Sequence, residues 1–98
     1  VKNFMYGGKY PWSDFKSVSL AESLPRILAR TNGYAHKYTL RGHFEVENLG
    51  RGELYVEADR PPFIILKSST SFLILGDKDP GRTRELFEKI KEAWSLDR

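Results

Sequence analysis

The chain has two histidines, His36 and His43, and no cysteine. No thiolate is therefore available as nucleophile or zinc ligand, and no disulfide framework can form. Two lone histidines without an evident carboxylate partner make a poor metal site, and each reads as an exposed strand residue. The stretch "GDKDPG" sets Asp77 and Asp79 two apart, as at the start of a calcium loop. It lacks the third ligand, the central glycine and the closing glutamate that such a loop requires. A turn followed by a helix cap accounts for it better. Neither a G-x-S-x-G elbow nor a phosphate-cradling glycine loop is present. An enzyme would need a deep polar pocket with His36 or His43 beside a carboxylate, and nothing in the sequence leads one to expect it. The reading is non-catalytic, with no metal and no cofactor.

Binding is the better prospect. Lys9, Tyr10, Trp12 and Lys16 combine cations with amphipathic rings, a mixture suited to an anionic membrane surface or a partner protein. The simpler alternative packs Tyr10 and Trp12 against the end of a barrel. "RGHFEV" (Arg41–Val46) resembles an RNA-binding strand, with Tyr38 and His43 as stacking faces. That fold interleaves two helices with its strands, and this chain has one convincing helical pattern, so nucleic acid is set aside as a partner.

The elements that would position such residues are those of a small β domain. At 98 residues, 40% hydrophobic and 30% charged, the chain suits one domain, residues 1–98, with one core. Net charge is +3: residues 1–50 carry seven Lys/Arg against four Asp/Glu, and residues 51–98 nine against nine. Turn signals recur through the chain at Gly7-Gly8, Pro25, Asn32-Gly33, Gly50 to Gly52, Pro61-Pro62 and Ser68 to Ser71, the spacing of a sandwich or barrel. "KSVSL", "HFEVE" and "ELYVEA" alternate polar and apolar residues. Their patterns put Val18, Leu20, Phe44, Val46, Leu54, Val56 and Ala58 inward, with one wet face. "NLGRG" predicts a hairpin turn with Gly50 or Gly52 at positive φ.

"FIIL" and "FLIL" are apolar throughout, so both faces of that hairpin must be covered. The last segment supplies a lid. Asp79 suits an N-cap and Pro80 the first helical position. Leu86, Phe87, Ile90, Ala93 and Trp94 then form one helical stripe, with Arg84–Glu88 and Glu85–Lys89 as charge pairs on the opposite side.

The order of "SVSLAESLPRILARTNGYA", "RGHFEV", "GELYVEADRPPFIIL" and "FLILGDKDPGRTRELFEKIKEAW" resembles the bacterial pleckstrin-homology-like (PH-like) domain family. The resemblance runs from about Phe15 to Trp94 and rests on Leu24, Pro25, Arg30, Asn32, Gly33, Gly42, Phe44, Leu54, Tyr55, Val56 and Asp79-Pro80. It implies a mainly β fold: about seven strands in two packed antiparallel sheets, capped by one C-terminal α-helix. It further implies a non-catalytic interaction module of a larger membrane-associated bacterial protein, binding a protein or peptide. The inositol-lipid site of eukaryotic PH domains does not carry over, since Lys9 and Lys16 lack the arginine that completes its motif. The alternative function is peripheral binding to anionic membrane. The chain opens on Val1 in strand-like sequence, as a piece of a longer protein would, leaving room for an upstream anchor. No apolar run approaches the roughly 20 residues of a membrane-spanning helix.

Overall fold

The computed structural model describes residues 12–96. After a single 3-10 turn, Trp12–Asp14, the chain forms β1 (Phe15–Ala21), β2 (Ile27–His36), β3 (Thr39–Val46), β4 (Gly50–Glu57), β5 (Phe63–Ser68), β6 (Phe72–Leu75) and the helix α1 (Pro80–Leu96). The six strands make one continuous sheet in the order β1-β5-β6-β4-β3-β2. All neighbours are antiparallel except β4 and β6, which run parallel with Leu54 opposite Ile74. The expected two antiparallel sheets of about seven strands are thus, among the described residues, one mixed six-stranded sheet. The physical reason is the path after β5: the tight β5–β6 hairpin brings β6 alongside β4, and β6 joins β5 and β4 into one ladder.

Two apolar layers flank this sheet. On one face Trp12, Phe15, Ile64, Leu66, Leu73, Leu75 and Ile90 are buried together, with Leu86, Phe87, Ala93 and Trp94 of the helix packed against them. The helical stripe therefore docks as its spacing predicts. Trp94 also donates its ring N–H to the Phe15 carbonyl at 3.0 Å, tying α1 to the start of β1. On the other face Phe44, Val46, Leu54, Val56, Phe63, Phe72 and Ile74 are buried together, with no residue of α1 packed against them. The partly buried Leu24, Ile27, Leu40, Leu49 and Ile65 pack against this layer, and strand twist lets a sheet curve about such a layer.

Successive residues of β5 and β6 feed alternate layers: Ile64 and Leu66 one, Phe63 and Ile65 the other. This is why "FIIL" and "FLIL" show no polar alternation.

The helix start is built as expected. Asp79 accepts the Gly81 N–H on its carboxylate at 2.9 Å, and its carbonyl accepts the Thr83 N–H at 3.1 Å. Buried Thr83 accepts the Asp77 N–H at 2.8 Å, and the Asp77 carboxylate accepts the Asp79 N–H at 2.9 Å. Both carboxylates of "GDKDPG" thus serve the turn and the cap. Arg84 pairs with Glu22 of the β1–β2 link at 3.4 Å, a tie between elements where the sequence suggested one along the helix.

The β3–β4 turn has Asn48 at φ 68° and Gly50 at φ 82°, as its sequence predicts. Asn32-Gly33, however, is no turn. It lies inside the ten-residue β2, with Gly33 directly opposite Gly42 of β3. The β2–β3 reversal comes later, with Lys37 at φ 53°. A Cβ on Gly33 would collide with the Arg41 carbonyl oxygen, and one on Gly42 would sit 2.8 Å from the Asn32 carbonyl oxygen. Close strand approach, not chain reversal, is what this glycine pair provides.

Candidate functional site

Directly opposed residues on neighbouring strands share a sheet face, so the register shows what the helix leaves uncovered. Glu53 and Tyr55 of β4 oppose Leu73 and Leu75 of β6, which places them on the helix-bearing face. From β4 the same face continues across β3 to β2 in rows: Glu57, Thr39 and His36; Tyr55, Arg41 and Tyr34; Glu53, His43 and Asn32. The helix packs on β1, β5 and the 3-10 turn. Beyond it the sheet presents a polar half whose far border is β2.

That half holds an interacting set of side chains. Glu53 is only 4% exposed, and burying a carboxylate is costly unless it is hydrogen-bonded. Tyr55, two residues along the same strand face, donates its hydroxyl to Glu53 Oε1 at 2.6 Å. His43 Nε2 lies 3.7 Å from Glu53 Oε2. Further along, the Thr39 hydroxyl contacts both Glu57 oxygens at 2.9 and 3.0 Å. The Tyr34 and His36 rings lie 6.4 Å apart. A trough of about 470 Å³ crosses this face, lined by Thr31, Asn32, His43, Arg51, Gly52, Glu53 and Ser71. Thr31, Asn32, His43 and Arg51 are exposed, so the trough is open to solvent and reaches the rim of the sheet at β2. Such an arrangement can orient an imidazole and offer hydrogen bonds to a bound chain.

The border strand is itself the most exposed part of the fold. Nine of the ten residues of β2 are exposed. Among the described residues the side of β2 away from β3 has no strand paired to it. Leu28 is 51% exposed, Tyr34 54% and, at the turn, Tyr38 58%.

The residues singled out by sequence fare unevenly. Lys9 and Tyr10 lie outside the described residues. Trp12 is buried in the layer beneath α1, so its ring is a core group and not a surface contact; the correction follows from its position in the 3-10 turn that leads into β1. Lys16 is exposed on β1, at the border of the sheet opposite β2. It lines a shallow recess with Lys67 and the Ser68–Ser71 loop. His43 does acquire a carboxylate neighbour, which the sequence reading denied it.

The clean alternation of β4 predicts a wet face for Glu53; it is covered instead, with the Tyr55 hydroxyl and the His43 ring against its carboxylate. A usable signal was Tyr55 two residues on, which puts a hydroxyl beside that carboxylate. The open β2 was hidden by Asn32-Gly33, which mimics a turn.

Among the described residues no group of three or more His, Asp or Glu is placed to hold a metal ion, and no helix is long and apolar enough to cross a membrane. No protein-family model, curated protein or solved structure matches the chain.

Proposed function

We propose that the chain is a non-catalytic interaction module of PH-like design that holds an extended protein or peptide segment against the outer side of β2, as a domain of a larger membrane-associated bacterial protein. The observation that carries the reading is the open border strand. An edge strand offers unpaired backbone N–H and C=O groups. A peptide laid alongside satisfies them, and alternate side chains of that peptide find their places on the two faces. Three of the four exposed large hydrophobic side chains among the described residues, Leu28, Tyr34 and Tyr38, stand on β2 or its turn, where they would flank such a peptide.

Proteins often blunt an edge with bulges, and β2 has register shifts between Ile27 and Ala29 and between Arg30 and Asn32. The stretch from Asn32 to His36 is regular and is the length available for pairing. A catalytic role would need the His43–Glu53 pair in a water-excluding cavity; the exposed Thr31, Asn32 and Arg51 argue against one. The PH-like reading rests on the order of sequence motifs and on a mainly β chain closed by a C-terminal helix.

Selection of peptides from a random display library on the immobilised domain tests the function. Selected peptides should slow amide exchange in β2 and leave α1 unchanged. Leu28→Ala with Tyr34→Ala should weaken them while shifting stability by no more than about 0.5 kcal/mol per exposed site. Enrichment of no peptide, or protection confined to the helix, would reject the proposal.

A further inference from the structure

We infer that the segment bound at β2 is acidic: an extended peptide whose carboxylates answer the cations of the β2–β3 hairpin. This rests on the edge-binding reading above and names its partner class. From Leu24 to Phe44 the chain carries Arg26, Arg30, Lys37 and Arg41 and not one Asp or Glu. Those are four of sixteen Lys/Arg and none of thirteen Asp/Glu, so the rest of the chain holds twelve against thirteen. Arg26 precedes β2 and β3 continues through Glu45, so the hairpin Ile27–Val46 itself carries Arg30, Lys37 and Arg41 against Glu45, a net +2 of the molecule's +3 on the open border.

The placement of the cations decides between kinds of anionic partner. Arg41 opposes Tyr34 and shares its face, whereas Arg30 opposes Phe44 and belongs to the other face. Arg30 and Lys37 are seven residues apart, roughly 23 Å of extended chain. A bilayer touching one face meets only some of these charges, and one receiving the turn end-on meets Lys37 but not Arg30. A strand running beside β2 directs its own side chains alternately to both faces, so its carboxylates reach Arg30 on one side and Arg41 on the other. It also satisfies the backbone groups, which neither a lipid headgroup nor a nucleotide can do in register. Complementary charge of this kind chiefly governs partner choice and association rate.

The test uses the whole chain and three peptides of about ten residues, the length of β2: a repeat of two Glu and two Val, which sets carboxylates on both faces of an extended strand, with Gln and with Lys replacing Glu in the other two. At low salt the Glu peptide should bind at least about tenfold tighter than the Gln peptide, with the advantage shrinking as salt screens exposed charge. The Lys peptide should not bind. Arg30→Glu with Arg41→Glu should remove the preference without changing the melt, and Arg30→Gln with Arg41→Gln serves if the reversal misfolds. Equal binding of the Glu and Gln peptides overturns the acidic assignment and leaves edge binding standing. Failure of all three peptides overturns both. Phosphatidylserine vesicles or an oligothymidylate strand that bind with the same sensitivity to Arg30 and Arg41, while the peptides do not, would overturn both as well and assign the surface to that partner.

Discussion

Ile90→Ala probes the union of helix and sheet on which the fold depends. Ile90 is 3% exposed and lies among Trp12, Phe15, Ile64, Leu66, Leu73 and Leu75. The substitution removes about three methyl or methylene groups, near 0.8 kcal/mol each in transfer alone. A cavity term follows because the surrounding β strands cannot collapse into the space, bringing the expected loss to about 3–4 kcal/mol. A domain of this size has about 5–15 kcal/mol of total stability, so the variant loses a large fraction of it. At roughly 4–8 °C per kcal/mol, its melting temperature should fall by about 12–30 °C. Leu86, Phe87, Ala93 and Trp94 are only partly buried, so Ile90 is the position where truncation should cost most. The assay is urea and thermal denaturation by circular dichroism, with exposed Leu96 changed to Ala as the control. A loss under about 0.5 kcal/mol, the range of an ordinary surface substitution, would show that α1 does not seal this layer.

Three further outcomes follow from the same packing. Asp79→Ala removes the carboxylate that caps α1 through the Gly81 N–H and should cost about 1 kcal/mol by urea melt; no change would mean that another group caps the helix. Tyr55→Phe deletes the 2.6 Å hydrogen bond to the buried Glu53 carboxylate and should cost about 1.5–3 kcal/mol, largely relieved when Glu53 is also replaced by Gln. A double mutant no more stable than Tyr55→Phe alone would contradict that coupling. Gly52→Ala places a Cβ 2.5 Å from both the ring and the carbonyl oxygen of Phe72; the overpacking should cost about 1–3 kcal/mol, and a neutral effect would mean the strands can part there.

The legible parts of the fold are those written in local pattern. Asp79-Pro80 and the spacing from Leu86 to Trp94 identify a capped amphipathic helix, and the two unbroken apolar runs identify a hairpin covered on both faces. Phe44, Val46, Leu54 and Val56 go inward as their alternation dictates. Long-range pairing is not written locally. Nothing near Leu73 or Leu54 signals that β6 and β4 run parallel, since that pairing is set by what is left to cover once the hairpin has formed. β2 defeats pattern reading for a related reason. With nearly every side chain exposed, it has no apolar period to detect, and Asn32-Gly33 supplies a false turn. Trp12 shows the converse error: a ring beside cations looks like a binding surface until the 3-10 turn tucks it under the helix.

Residue-resolved amide hydrogen exchange of the free domain tests most directly whether the β2 border stands open. Over the regular stretch Asn32–His36, which pairs with His43 through Thr39, protection should alternate: amides directed at β3 exchange slowly, and those directed outward exchange nearly as fast as in an unstructured chain. Uniform protection of every β2 amide, at the level of the interior strand β4, would mean that the border is already occupied and that no segment can be added there.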